Sequence, residues 1–160
     1  PPMTAAWSSA VPSARASRRF EEAEIVGLSS AAMRYLLVIY ELSDGGKPVR
    51  SVDIARALEV SPASVVHMMG VLAGEGLVLK RHYGQVQLTA EGIRASNQLY
   101  TKCTILESFL LQELDVSRET ARQDAVACLC SLSEESIERV ICRVLERTLA
   151  ERDILRVAGE

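Results

Sequence analysis

Residues 59–62, Glu-Val-Ser-Pro, divide two short apolar patterns of helical period, and no other feature of the chain constrains its fold as much. Before them, Val52, Ile54, Ala55 and Leu58 mark one helix; after them, Val65, Met68, Met69 and Leu72 mark another. Ser61 is an N-cap and Pro62 stands at the first helical position, where its missing N–H costs nothing. Ala55 is small where two helices must cross closely. Val65, ten residues on, offers a β-branched side chain to the first helix. Glu59 occupies the turn where many such units use glycine, and Gly74 and Gly76 stop the second helix. This is a helix-turn-helix pattern.

Its surroundings complete a larger unit. Ser29 caps a helix from Ala31 to about Leu42, with Met33, Leu36, Leu37 and Tyr40 at helical spacing, and SDGGKP ends it. After the second short helix, LVLKRHYGQVQLT holds two alternating apolar runs, Leu77 with Leu79 and Val86 with Leu88, around a glycine-containing turn, which predicts a β-hairpin. Thr89 caps a long amphipathic helix from Ala90 to about Glu113, through Ile93, Leu99, Ile105, Leu106, Phe109 and Leu110. Two more helices follow, Arg118 to Leu132 and Glu134 to Leu155. The predicted fold is mainly α: an N-terminal tail over 1–28, a winged helix-turn-helix over 29–95 and a helical dimerisation domain over 96–156.

A recognition helix enters the major groove N-terminus first. With Val65, Met68 and Leu72 turned inward, Ala63, Ser64, Val66, His67 and Val71 face outward, and none is Lys or Arg. Base reading would then rest on Ser64, His67 and methyl contacts to thymine. Phosphate contacts would come from the helix N-terminus at Ser61 to Ser64, from Arg50, and from Lys80, Arg81, His82 and Tyr83 in the wing. The bland alternative is a solvated hairpin tip. Residues 30–95 hold seven Lys/Arg against six Asp/Glu, whereas 96–160 hold eight against twelve. The sign change suits a DNA-facing module on an acidic one, although the net charge of -3 gives the whole chain no attraction to nucleic acid.

The later helices carry too much apolar stripe to bury within one short chain, and paired half-sites in DNA favour paired modules. A homodimer through Leu99, Leu106, Leu110, Ile137, Ile141 and Val144 would meet both demands, against the simpler reading in which these side chains fold back on their own winged helix.

Composition removes other classes. No run nears the ~18 apolar residues of a membrane span, so no membrane partner is expected. Cys103, Cys128, Cys130 and Cys142 lie in a chain with no secretory apolar region, which suggests a reduced, cytoplasmic setting. Two histidines, both in the DNA-facing module, and no carboxylate pair at catalytic spacing argue against an enzyme. The first 20 residues, rich in Ala, Ser and Pro with three arginines and no acid, read as a tail that Trp7 or Phe20 anchors, or as a basic arm for the DNA backbone.

From Ser29 to Leu149 the chain resembles the iron- and manganese-dependent repressors, the diphtheria-toxin-repressor and manganese-transport-repressor type. The carrying stretches are YLLVIYEL, VRSVDIARALEVSPASV, GLVLKRHYGQVQLTAEG, ILESFLLQELDV and CSLSEESIERV. It looks like the short form without the SH3-like third domain. The resemblance implies a transcriptional regulator, a repressor, that binds double-stranded DNA as a homodimer under control of a divalent metal. That metal would be held by the first helix, by a His on the long helix and by an acid-x-x-acid-His pattern on the next.

Here those positions are Arg34 and Leu37, Cys103, and Val126, Leu129 and Cys130; of the ligand-capable types the family shows nearby, Glu107 is kept. A hard-oxygen manganese or ferrous site is therefore not expected. Three readings of the thiols stay open. They are core hydrophobes, with no cofactor and helix packing in place of the metal; or Cys103 and Cys130, with Glu107, bind zinc or copper; or Cys103 and Cys130 form a redox switch, with Arg34 lowering a thiol pKa. A different class altogether is an interaction module that keeps the fold and has lost DNA binding.

Overall fold

The computed structural model describes residues 27–158, so the expectations for the tail up to residue 26 lie outside the described residues. Six α-helices and the two hairpin strands follow in the predicted order, with one further short strand, β1: α1 (Ser30–Ser43), β1 (Val49–Arg50), α2 (Ser51–Leu58), α3 (Pro62–Gly74), β2 (Val78–Lys80), β3 (Gln85–Leu88), α4 (Ala90–Leu114), α5 (Arg118–Ser131) and α6 (Glu134–Ala158). A 3-10 turn at His82–Gly84 joins β2 to β3. Hydroxyl caps begin the helices where local chemistry requires. The Ser29, Ser61 and Thr89 side chains accept from the backbone N–H of Ala32, Ser64 and Gly92. Ser117 caps α5 in the same way through Thr120 N–H.

The chain bends by 111° between α2 and α3, within the range of a helix-turn-helix. At the bend Glu59 takes a left-handed backbone, φ +55°, while Val60 N–H returns to the Ala55 carbonyl at 3.0 Å. A side chain there costs about 1 kcal/mol relative to glycine. Ala55 and Val65 are buried at the crossing, as their sizes suggested. Val52 is not: it is half exposed on the outer side of α2.

The wing is an antiparallel sheet ordered β1-β3-β2. The two-residue strand β1, too short to leave a pattern, pairs Val49 with Val86. The phase expected for β2 is corrected. Val78, not Leu79, faces inward, because register sets Val78 opposite Leu88 and directly opposed residues share a face. Leu77 is half-buried and Leu79 stands in solvent.

One apolar cluster runs through the described residues, from Ala32, Leu36 and Ile39 in α1 through Val65 and Leu72 to Leu106 in α4 and Ala125 in α5. It also contains Leu99, Leu110, Ile137 and Ile141. Five of the six expected dimer residues thus pack within their own chain. The reason is local: α4 buries its stripe against α1, α5 and α6, so little is left for a partner. Val144 is half-buried beside Phe109. Among the apolar side chains exposed at later positions are Leu114, Leu145, Leu149 and Ile154. No single helix among the described residues is long and apolar enough to cross a membrane.

Candidate nucleic-acid interface and the polar cluster behind it

α3 offers its outward side to solvent as the sequence suggested. Ala63, Ser64, Val66, His67 and Val71 are exposed, whereas Val65, Met69 and Leu72 are buried. Met68, also expected inward, is half-buried. Ser61 is committed to the cap, and its hydroxyl also meets that of Ser64 at 2.8 Å. The capped end leaves backbone N–H groups directed along the helix axis, a position that favours phosphate.

The wing lies beside this face. Tyr83 at its tip is almost wholly exposed, held in the left-handed region at φ +58° and in contact with the His82 ring. Ser51 Oγ donates to the Gly84 carbonyl at 2.8 Å and ties the tip to α2. Two expected phosphate contacts are engaged with protein groups. Arg50 donates to both Asp53 carboxylate oxygens, at 2.9 and 3.2 Å, which holds that carboxyl below its usual range. Arg81 donates twice to Gln87 Oε1. Both pairs are solvent-exposed and weak enough to exchange for a phosphate.

The positions that would carry metal ligands form a second cluster. Leu37 and Leu129 are buried and apolar, and Val126 is half-buried beside them. Cys103 is fully buried, and Cys130 nearly so. Each thiol meets a guanidinium. Arg122 Nη1 donates to Cys103 Sγ at 3.2 Å, and the Arg34 guanidinium lies close enough to Cys130 to draw its pKa down. Arg122 is the residue that sequence reasoning missed. It ion-pairs with Glu41 of α1 and Glu107 of α4, the latter at 3.7 Å, and lies over the Tyr100 ring, 5.4 Å from its centroid. Tyr100 stacks in turn on Tyr40, whose hydroxyl donates to Asn97. A single cation therefore joins three helices. Nearby, Ser30 Oγ donates to the Cys130 carbonyl at 2.6 Å and adds another link between α1 and α5.

The electrostatics decide the fate of the thiols. Burial, then the Glu107 carboxylate, then the neighbouring Cys130, push the Cys103 thiol up to about 12. At Cys130 the Arg34 guanidinium does lower the pKa as expected, but burial outweighs it and the net shift is upward. Both thiols are thus shifted upward by desolvation, the direction opposite to the activation that a redox switch would draw on. Because the folded value lies above the ordinary 9.0, the neutral thiol favours the fold below pH 9, and that contribution is lost as pH rises toward 12. Alkylation at pH 8 is expected to leave Cys103 unmodified in native protein and to label it fully in denaturant, read by peptide mass. Modification of Cys103 at the rate of a free thiol would show that the site opens. Cys128 and Cys142 are half-buried, and all four cysteines are free. Among the described residues no three His, Cys, Asp or Glu side chains converge as a metal set.

Comparison with known proteins agrees with this architecture. Residues 27–86 match the family model described as iron dependent repressor, N-terminal DNA binding domain. The transcriptional regulator MntR of Escherichia coli O157:H7 is 36% identical over 104 residues, 65% of this chain and 66% of that protein. The HTH-type transcriptional regulator MntR of Lysinibacillus sphaericus is 32% identical over 102 residues, 64% of this chain and 73% of its own length. A solved manganese-dependent transcriptional repressor in complex with manganese superimposes with a TM-score of 0.62 at 26% identity, covering 71% of this chain and 52% of the other. The chain thus spans about half the length of that solved repressor. With the DNA-binding family model matched over residues 27–86 and a regulator matched at 32% identity over 73% of its length, the chain belongs to the family of iron- and manganese-dependent transcriptional repressors.

Proposed function

We propose that this chain is a homodimeric DNA-binding transcriptional regulator, a repressor, whose DNA-facing module is braced by its own side chains where relatives use a metal ion. The observation that carries the reading is Arg122, seated between Glu41, Cys103 and Glu107. One of the relatives described above is a manganese-dependent repressor in complex with manganese. A divalent ion does not fit the residues here: guanidinium groups already meet both sulfurs, Glu107 is neutralised by Arg122, and Leu37 and Leu129 supply no donor. Zinc would need at least one more ligand, and zinc or copper alike would need two deprotonated thiols, against the burial that raises both thiol pKa values. The permanent positive charge of Arg122 can do what the ion would do, holding α1 of the DNA-facing module against α4 and α5.

Dimerisation is assigned to the exposed apolar positions Leu114, Leu145, Leu149 and Ile154 rather than to the buried stripe. Residues 145–152 of α6 are all exposed, and their link to α4 is the ion pair of Arg147 with Glu113. A second copy with the same apolar row covers it by symmetry.

The experiment is a selection of the full chain on random duplex DNA at low salt, in chelator and again in manganese, with the mass measured at micromolar concentration. The expected result is the mass of two chains and one enriched, pseudo-palindromic sequence bound equally well in both buffers. Binding only in manganese would overturn the metal-independent reading. Failure to bind any duplex would favour an interaction module that has lost DNA, consistent with a recognition face bare of Lys and Arg.

A further inference from the structure

Between residues 30 and 95 there are seven Lys and Arg side chains, and six are engaged. Lys47 pairs with Asp44, Arg50 and Arg56 share Asp53, and Arg94 pairs with Glu91. Arg81 is bonded to Gln87, and Arg34 lies beside Cys130. Lys80 alone has no ion pair or hydrogen bond among the described residues. Among the module's seven basic side chains, its ammonium is the one left without a partner group.

The sheet also aims it. Lys80 stands opposite Val86 as Val78 stands opposite Leu88, so all four share one face of the wing. Leu79 and Gln87, the partner of Arg81, lie on the other. Lys80 therefore extends the inner row toward α3. Its Nζ lies 3.8 Å from the point a Cβ on Gly70 would occupy. Gly70 shares the outward side of α3 with Ala63 and His67, at positions i, i+4 and i+7. With no side chain of its own there, it leaves the ammonium lying against the bare backbone of the recognition helix.

We infer that Lys80 is the base-reading cation of the recognition helix, supplied by the wing of the same chain, and that it contacts the O6 and N7 acceptors of a guanine rather than a phosphate. A cation held against the third turn of α3 is carried into the groove with that helix. Three ammonium donors match the two acceptors of guanine, whereas adenine sets its N6 donor against them. On the rest of the face Ala63, Val66 and Val71 offer only methyls, while Ser64 and His67 offer side-chain donors but no fixed cation. This inference rests on the DNA-binding reading above.

The test uses the full chain and the duplex it selects from a random library, with affinities measured across a panel that changes one base pair at a time. Wild type is expected to lose about tenfold when one guanine per half-site becomes adenine. Lys80→Gln should lose the guanine preference, binding the adenine duplex as well as or better than the guanine one because its amide can pair with adenine N6 and N7, with an unchanged salt slope. Lys80→Arg should keep it. A uniform loss on every duplex in Lys80→Gln, with the salt slope lower by about one, marks a phosphate contact and overturns the inference while the DNA-binding reading stands. If wild type enriches no sequence, both readings fall.

Discussion

Replacing Gly92 by alanine is expected to destabilise the protein by about 3 kcal/mol or more and to abolish sequence-specific binding. Gly92 lies buried in the first turn of α4, where the helix is pressed onto the wing. A Cβ there would sit 1.9 Å from the Leu77 carbonyl oxygen and 2.9 Å from its carbon. Those atoms are backbone, with no rotamer that could move aside. The same carbonyl accepts from Thr89 N–H at 3.0 Å, and Thr89 Oγ1 donates to Gly76 and caps Gly92. Shifting one partner strains the whole junction that sets the wing relative to the long helix. Thermal unfolding followed by circular dichroism should fall by about 6–12 °C. Gly74→Ala is the control. Nothing lies within 4 Å of its added Cβ, and a helical alanine there should change stability by less than about 1 kcal/mol. Equal melting of Gly92→Ala and wild type would mean that α4 does not rest on β2 as described.

Much of this framework can be read from the residues, because its signals are local. Ser29, Ser61 and Thr89 cap helices through bonds that span three residues, and Pro62 marks its helix start without reference to anything distant. Ala55 and Val65 disclose a helix crossing through their sizes alone. Where the sequence misleads, the deciding partner lies far along the chain. The inward phase of β2 depends on its pairing with Leu88, since Val78 and Leu79 are equally apolar. The stripe from Leu99 to Leu110 looks like an interface until α5, bearing Ala121 and Ala125, covers it from the same chain. Arg122 is harder still, with Glu41 lying 81 residues away. One signal did exist. Arg122 precedes Val126 and Leu129 by four and seven residues, so it shares the helical stripe where relatives are expected to place ligands. A cation on that stripe is what the proposed replacement of the ion requires.

That replacement gives the other large expectation. Arg122→Ala should weaken operator binding about tenfold and lower stability by about 2 kcal/mol, a melting shift of roughly 4–8 °C. The guanidinium is only partly exposed, and burial draws its pKa down, yet an arginine stays charged in any protein. Its removal leaves Glu41 and Glu107 facing each other without a counter-ion beside a buried thiol. Unpaired like charges cost more than the lost attraction alone. Arg122→Lys should restore part of the stability but little of the affinity, since an ammonium cannot reach Glu41, Glu107 and the sulfur together. The decisive readout is manganese. In Arg122→Ala the vacated space is bordered by two carboxylates, and millimolar manganese should recover part of the lost melting temperature by binding the folded state. Wild type should not respond, because the position is already filled by a charge that cannot dissociate. If wild type gains stability with manganese while the alanine variant does not, the guanidinium is a bystander and an ion-binding set lies elsewhere in the chain.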